Sequence, residues 1–166
     1  MKLFEPIKIG NVELKNRVIM APMENGMAAV GTGEVTDRII AFFEERAQHN
    51  IAMIMPGSIG VSPEGRGLPT QLSLFDEKQV AGHKRLVDAI HSKGSLVAAQ
   101  LYHAGRQASE AITGLDPLAP SAIPCGILQN HPKEITHEQM NRIKEQFRQA
   151  ARWSIEAGYD IVEVHF

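Results

Sequence analysis

Residues 93–101 read Lys93-Gly94-Ser95-Leu96-Val97-Ala98-Ala99-Gln100-Leu101. A cation followed by glycine is typical of a helix end, and the apolar run directly after it predicts a strand buried on both faces. Three other segments have the same character: Val18-Ile19-Met20-Ala21-Pro22, Ile51-Ala52-Met53-Ile54-Met55 and Tyr159-Asp160-Ile161-Val162-Glu163-Val164-His165. Strands of this kind form parallel sheets that helices cover, so the pattern predicts an α/β fold.

Amphipathic helices are predicted between these strands. One runs from about Thr36 to His49, a second begins at the N-cap Asp76, and a third begins at a capping box that starts with Thr136. The third helix is predicted to bury one face, made of Met140, Ile143, Phe147, Ala150, Ala151 and Ile155. Before the first strand, Ile7-Lys8-Ile9 and Val12-Glu13-Leu14 flank Gly10-Asn11, which predicts a β-hairpin.

The connections between these elements are unequal in length. Long loops follow the strands, whereas short turns marked by glycine follow the helices. This is typical of a (β/α)₈ barrel, in which the chemistry lies at the carboxyl ends of the strands. A doubly wound sheet gives a similar string, so the periodicity leaves both architectures open.

Composition excludes several classes of protein. Lys and Arg total 17 and Asp and Glu total 19, a formal net charge of −2, and no charge block predicts a nucleic-acid or membrane partner. No apolar run approaches membrane-spanning length and no signal peptide opens the chain, so a cytoplasmic location is expected. The single cysteine, Cys125, and the scattered histidines predict no metal site.

Two further features have only weak functional signals. Gly31-Thr32-Gly33-Glu34-Val35-Thr36 is an incomplete GxGxxG that follows no clear strand, which makes it a poor dinucleotide fingerprint. His83 and His91 on the second helix are interpreted as surface or boundary residues, and His103 as a structural anchor of its loop.

Five segments, in order along the chain, resemble motifs of the old yellow enzyme family. They are residues 14–23 (LKNRVIMAPM), 61–67 (VSPEGRG), 100–106 (QLYHAGR), 119–122 (APSA) and 157–165 (AGYDIVEVH). The resemblance, to NADH:flavin oxidoreductase and 2,4-dienoyl-CoA reductase-like proteins, implies a TIM barrel with FMN as cofactor and NADH or NADPH as reductant. It implies that a small α,β-unsaturated carbonyl substrate is reduced at its C=C bond by hydride from flavin N5.

The resemblance also implies roles for individual residues. Ala21, Pro22, Met23 and Glu24 would lie at the flavin edge that carries N5, with Gly60 packed beside the ring. Gln100 would hydrogen-bond the pyrimidine end, because an amide offers both a donor and an acceptor. His165 would be the catalytic donor that holds the substrate carbonyl. Glu24 departs from the cysteine or threonine that relatives often place there, and its role stays open.

Residues 1–166 are expected to form a partial flavin-binding barrel domain that stops after the fourth strand. The activity would then belong to a longer protein, and the 166 residues alone are expected to be inactive. One alternative is an isolated half-barrel that self-associates into a homo-oligomer because its sheet edges are unpaired. Another is a non-flavin TIM-barrel enzyme such as an aldolase, although no strand ends in the lysine that Schiff-base chemistry needs.

Overall fold

The computed structural model describes residues 1–128 and 130–166. Within them the strands are β1 (Ile7–Ile9), β2 (Val12–Leu14), β3 (Ile19–Met20), β4 (Met53–Ile54), β5 (Ser58–Gly60), β6 (Leu72–Ser73), β7 (Leu96–Tyr102), β8 (Leu118–Ala119), β9 (Lys133–Glu134) and β10 (Ile161–His165). The helices are α1 (Asp37–Ala47), α2 (Val80–His91), α3 (Glu110–Thr113) and α4 (His137–Glu156). The prediction of an α/β fold is confirmed.

The central sheet is parallel, and its series β3, β4, β7 and β10 follows the chain order, while β5 also pairs with β7 and β6 pairs with β5. β3 pairs with β4, β4 with β7, and β7 with β10. A doubly wound sheet reverses its strand order at a switch point, and the described strands of this series show no such reversal. The order therefore favours the barrel architecture of the two that the periodicity left open. Ahead of this sheet, β1 and β2 form an antiparallel pair.

The second predicted strand, residues 51–55, contains β4, and a further short strand, β5, follows it after Pro56 and Gly57. Ile54 pairs with Val97 and Ser58 pairs with Gln100, so four steps along this segment match three steps along β7. The extra residue is a β-bulge, which bends a strand and re-aims its side chains. Proline has no N–H to donate to the ladder, and Gly57 has φ +111°. The bulge separates β4 from β5.

The predicted helix starts agree with the structure. Thr36 accepts a hydrogen bond from the Ile39 N–H at the start of α1. Thr136 and Gln139 form the predicted capping box of α4. Asp76 caps a short 3₁₀ turn that leads directly into α2. Each cap satisfies backbone N–H groups that the helix itself leaves without a partner.

The predicted inner face of α4 is partly wrong. Ile155 is 70% exposed, whereas Ala150 and Ser154 are fully buried. Phe147 also packs against the core, so the buried stripe lies about one helical position away from Ile155. Small side chains on this stripe allow the helix to approach the sheet closely, and Ile155 is left facing away.

The interpretation of His83 as a surface or boundary residue is also wrong. His83 has no exposed surface and lies on the same face of α2 as Val80, Val87 and Ile90. Its Nε2 donates to the Ser73 carbonyl at 3.0 Å, and its Nδ1 accepts from the Tyr159 hydroxyl at 2.8 Å. Burial lowers the His83 pKa to about 4, so the ring is neutral in the folded protein.

Candidate active site

A cavity of about 380 Å³ opens where the strands of the central sheet end. Four of the predicted site residues line it, namely Pro22, Glu24, Gln100 and His165. The other lining residues are Ser58, Gly67, Leu68, Gln71, Tyr102, Gln107 and Leu128. The carboxyl ends of parallel strands are the usual place for a ligand site in α/β proteins. The cavity therefore lies where the sequence predicts the chemistry.

Three predicted site residues lie outside the cavity lining. Ala21 and Met23 are exposed neighbours of Pro22, and Met23 has 61% of its surface accessible. Gly60 is buried on β5, and a Cβ there would lie 3.2 Å from Arg66 Cγ and 3.5 Å from Ser73 Oγ. This close packing is enough to explain why residue 60 is a glycine, with no contribution from a ligand. The contact of Gly60 with a flavin ring remains a prediction.

Gln100 is positioned by its neighbour on the next strand. It stands opposite Glu163 in the β7–β10 register, and its Nε2 donates to Glu163 Oε1 at 2.9 Å. The carboxylate can only accept, so it turns the amide NH₂ toward itself. The side chain is 7% exposed. Among the described residues no group donates to Gln100 Oε1, which remains free to accept from a ligand.

His165 stacks on Tyr102 at the end of the same pair of strands. The two rings have centroids 5.2 Å apart and an interplanar angle of 28°. Burial raises the Tyr102 pKa, with a further contribution from the Glu24 charge. The phenol is therefore neutral near pH 7 and keeps its O–H. The stacking limits the orientations that the imidazole can adopt at the cavity wall.

Glu24, whose role the sequence leaves open, has defined partners in the structure. Its Oε1 accepts from the Ser58 backbone N–H at 3.0 Å and from the Ser58 hydroxyl. The Ser58 hydroxyl accepts in turn from Gln71 Nε2 at 2.6 Å. The carboxylate is thus bound to the first residue of β5, directly after the bulge at Gly57.

His103 has the structural role that its position predicts. Its Nδ1 accepts from the Gly105 N–H at 3.0 Å, and a Cβ on Gly65 would lie 2.5 Å from its ring. Burial is the main cause of its lowered pKa, so the ring is neutral. The imidazole therefore holds the 61–67 loop against the segment that follows β7.

The incomplete GxGxxG is part of the packing and does not face the cavity. The Ser73 N–H of β6 donates to the Gly33 carbonyl at 3.0 Å. A Cβ on Gly33 would lie 2.2 Å from Ser73 Oγ, so this position accepts only glycine. Among the described residues no group of three or more His, Cys, Asp and Glu side chains is arranged to hold a metal ion. No described helix has the length and apolarity needed to cross a bilayer.

Ser58, Gln71 and Tyr102 are cavity residues that the sequence did not single out for a role. Gln71 lies in an irregular segment and Ser58 begins a strand of only three residues, and periodicity over such short stretches carries no information about side-chain direction. Tyr102 had a detectable signal, because it directly follows Gln100 and Leu101 at a predicted strand end.

Comparison with known proteins identifies the family. The profile of the NADH:flavin oxidoreductase / NADH oxidase family matches residues 2–166. A metal reductase of Desulforamulus reducens is 40% identical over 98% of this chain and 24% of its own length. An NADH oxidase of Thermoanaerobacter brockii is 37% identical over 98% of this chain and 25% of its own. An NADPH dehydrogenase of Bacillus velezensis is 35% identical over 99% of this chain and 48% of its own.

Solved structures of related oxidoreductases have the same fold as this chain. Morphinone reductase in complex with tetrahydroNAD superposes with a TM-score of 0.92 at 30% identity, over 99% of this chain and 49% of the other. The old yellow enzyme homologue of Zymomonas mobilis gives a TM-score of 0.91 at 29% identity, over 99% and 48%. The chain thus spans from a quarter to half the length of these proteins. It belongs to the NADH:flavin oxidoreductase / NADH oxidase family, whose members are flavin-dependent oxidoreductases.

Proposed function

We propose that these residues form the first half of a (β/α)₈ flavin-binding domain in an FMN-dependent ene-reductase that uses NADH or NADPH. The observation that carries the proposal is the cavity itself. It brings Pro22, Glu24, Gln100 and His165 together from the ends of three strands, β3, β7 and β10, that are far apart in sequence. In the family resemblance these positions face the flavin and the substrate.

The residues present fit a flat heterocycle with donors and acceptors along its edge. Gln100 offers an amide oxygen whose orientation Glu163 fixes. Ala21 and Met23 are exposed directly after β3, so this segment offers peptide groups to a ligand. Gly60 is the last residue of β5. FMN supplies hydride transfer when it is bound. The protein's own contribution is to bind, orient and surround it.

His165 is the proposed hydrogen-bond donor to the carbonyl oxygen of an α,β-unsaturated substrate. A donor at that oxygen stabilises the negative charge that develops when the β-carbon accepts hydride. Tyr102 stacks on the imidazole and restricts its orientation. The substrate is therefore a small molecule whose C=C bond is conjugated to a carbonyl group.

The test is turnover of 2-cyclohexenone by the flavin-loaded full-length protein, followed under anaerobic conditions with NADH and with NADPH. Loss of one oxyanion donor costs roughly 10²–10³-fold in kcat, and we expect a loss in this range for His165→Ala. His165→Asn, which keeps a donor, should recover part of it. His49→Ala changes an exposed histidine at the end of α1 and serves as the control.

Each step of the proposal can fail separately. Purified protein that neither contains flavin nor takes up FMN contradicts the flavin site. Protein that is reduced by NAD(P)H but leaves cyclohexenone unchanged contradicts the ene-reductase assignment alone. Full turnover by His165→Ala contradicts the role of His165. Family membership leaves no support for the non-flavin alternative.

A further inference from the structure

Four residues along one wall of the cavity are joined by consecutive hydrogen bonds. The Gly67 N–H donates to Gln71 Oε1 at 2.8 Å, and Gln71 Nε2 donates to Ser58 Oγ at 2.6 Å. The Ser58 hydroxyl then donates to Glu24 Oε1, which also accepts from the Ser58 N–H at 3.0 Å. We call Gly67, Gln71, Ser58 and Glu24 the relay. Its members come from three separate segments of chain, and all four line the cavity.

The chemistry of the groups fixes the direction of the relay. A backbone N–H such as that of Gly67 can only donate, so Gln71 turns its oxygen to that side and its NH₂ to Ser58. The Ser58 hydroxyl has one proton, and because its oxygen accepts from Gln71 that proton is given to Glu24. A carboxylate can only accept, and the relay therefore ends at Glu24.

Gln71 is the buried member of the relay, and its burial fixes the orientation of its side chain. Gln71 is 1% exposed, whereas Glu24 is an exposed residue at the cavity mouth. A buried amide cannot replace lost partners with water, so its two hydrogen bonds are strongly specified. An exposed glutamate has no such constraint of its own, because surface side chains exchange their partners with solvent. The orientation of Glu24 thus depends on Gln71 through Ser58.

We propose that Gln71 is a positioning residue for the flavin site, holding the Glu24 carboxylate and the 61–67 loop in the arrangement that accepts FMN. The inference rests on the proposed function for the identity of the ligand. Gln71 does not react with the ligand. Its effect reaches the site through the fixed place of the carboxylate and of the loop that carries Gly67.

Gln71→Glu tests the direction of the relay without changing the volume of the side chain. The new carboxylate can still accept from the Gly67 N–H, but it competes with Glu24 for the Ser58 proton and leaves Glu24 with the Ser58 N–H alone. In the flavin-loaded protein we expect the dissociation constant of FMN to rise by roughly tenfold, as for a lost buried hydrogen bond. Gln48→Glu adds the same charge at an exposed position outside the cavity and should change the dissociation constant by less than about twofold.

A double-mutant cycle distinguishes positioning from a general loss of structure. If Gln71 acts through Glu24, the effect of Gln71→Glu on FMN affinity should shrink when Glu24→Ala is already present. An equal effect in both backgrounds overturns the proposal, as does equal weakening of FMN binding by Gln71→Glu and Gln48→Glu.

Amide hydrogen exchange gives a measurement that needs no flavin. The Gly67 and Ser58 N–H groups lie in or next to loops, yet the relay predicts slow exchange at both. Exchange should accelerate at both amides in Gln71→Ala, and unchanged rates overturn the relay. Failure of the unsubstituted protein to bind FMN contradicts the proposed function, and the exchange result still decides the relay.

Discussion

A neutral imidazole fixed in the core makes the stability of this protein dependent on pH. His83 donates from Nε2 to the Ser73 carbonyl and accepts at Nδ1 from the Tyr159 hydroxyl, whose pKa burial raises. A second proton on the ring would disrupt that arrangement and place a charge in the core. Burial lowers the His83 pKa from 6.5 to about 4. Between these values the unfolded chain binds a proton at this site and the folded chain does not. The free energy of unfolding therefore falls as the pH falls through this window.

The expected size of this effect is roughly 3 kcal/mol between pH 7 and pH 4, at 1.36 kcal/mol for each unit of pKa difference. Urea unfolding at several pH values measures it. His83→Gln should be less stable at pH 7 but lose this part of the pH dependence. His49→Gln changes an exposed histidine and should keep it. A pH dependence that is the same in His83→Gln and in the unsubstituted protein would contradict the assignment.

The contact between His83 and Tyr159 shows which part of the core a single sequence does not reveal. His83 stands three residues after Val80 and four before Val87, so the inner stripe of α2 already included it. Its assignment to the surface came from residue type rather than position. Tyr159, its partner, is 76 residues away. No single-sequence pattern connects two such residues, because the contact exists only once α2 has packed against the start of the last strand.

At the scale of elements, the bulge between β4 and β5 positions one side of the cavity. The extra residue brings Ser58 to Glu24 and places Gly57 against the preceding loop, where a Cβ would lie 2.8 Å from the Met23 carbonyl oxygen. The sequence predicts a strand at residues 51–55 but not the bulge. Proline and glycine mark an interruption, whereas the number of residues that oppose each other is decided by pairing with β7.

Gly57→Ala should therefore disturb both stability and the site. An alanine at φ +111° is strained, and its Cβ would collide with backbone, so we expect a loss of roughly 1–3 kcal/mol in the free energy of unfolding. Gly126→Ala is the matched control, because that glycine has an ordinary φ and open space around it. Its effect should stay within about 0.5 kcal/mol. Equal effects of the two substitutions in urea unfolding would show that the bulge does not require glycine.

Other elements were missed for a related reason. The helices and long strands have enough residues for their periodicity to be read, and their caps and closing glycines lie in the chain itself. β6, β8 and β9 have two residues each and exist through pairing with distant segments. The exposed Ile155 has a different cause, since the face of α4 that packs inward is chosen by shape as well as by hydrophobicity.

For the whole molecule, the series β3, β4, β7 and β10 leaves two outer edges. β3 pairs with β4 and β10 pairs with β7, and among the described strands neither outer edge has a second partner. In the barrel proposed above, these edges would pair with strands supplied by the rest of the domain. The sequence predicts the edges, because four strands in chain order cannot close a barrel of eight.

The 166-residue polypeptide on its own should associate through these edges. Val164 of β10 is 52% exposed, and burying a valine contributes about 1.5–3 kcal/mol, so Val164→Lys should raise the dissociation constant of the associated form by roughly tenfold or more. Val30→Lys is the control, since Val30 is 76% exposed in a loop and belongs to no strand. Sedimentation at micromolar concentrations measures both variants. A stable monomer in the unsubstituted polypeptide would mean that the open edges are protected within one chain, and the association prediction would then be wrong.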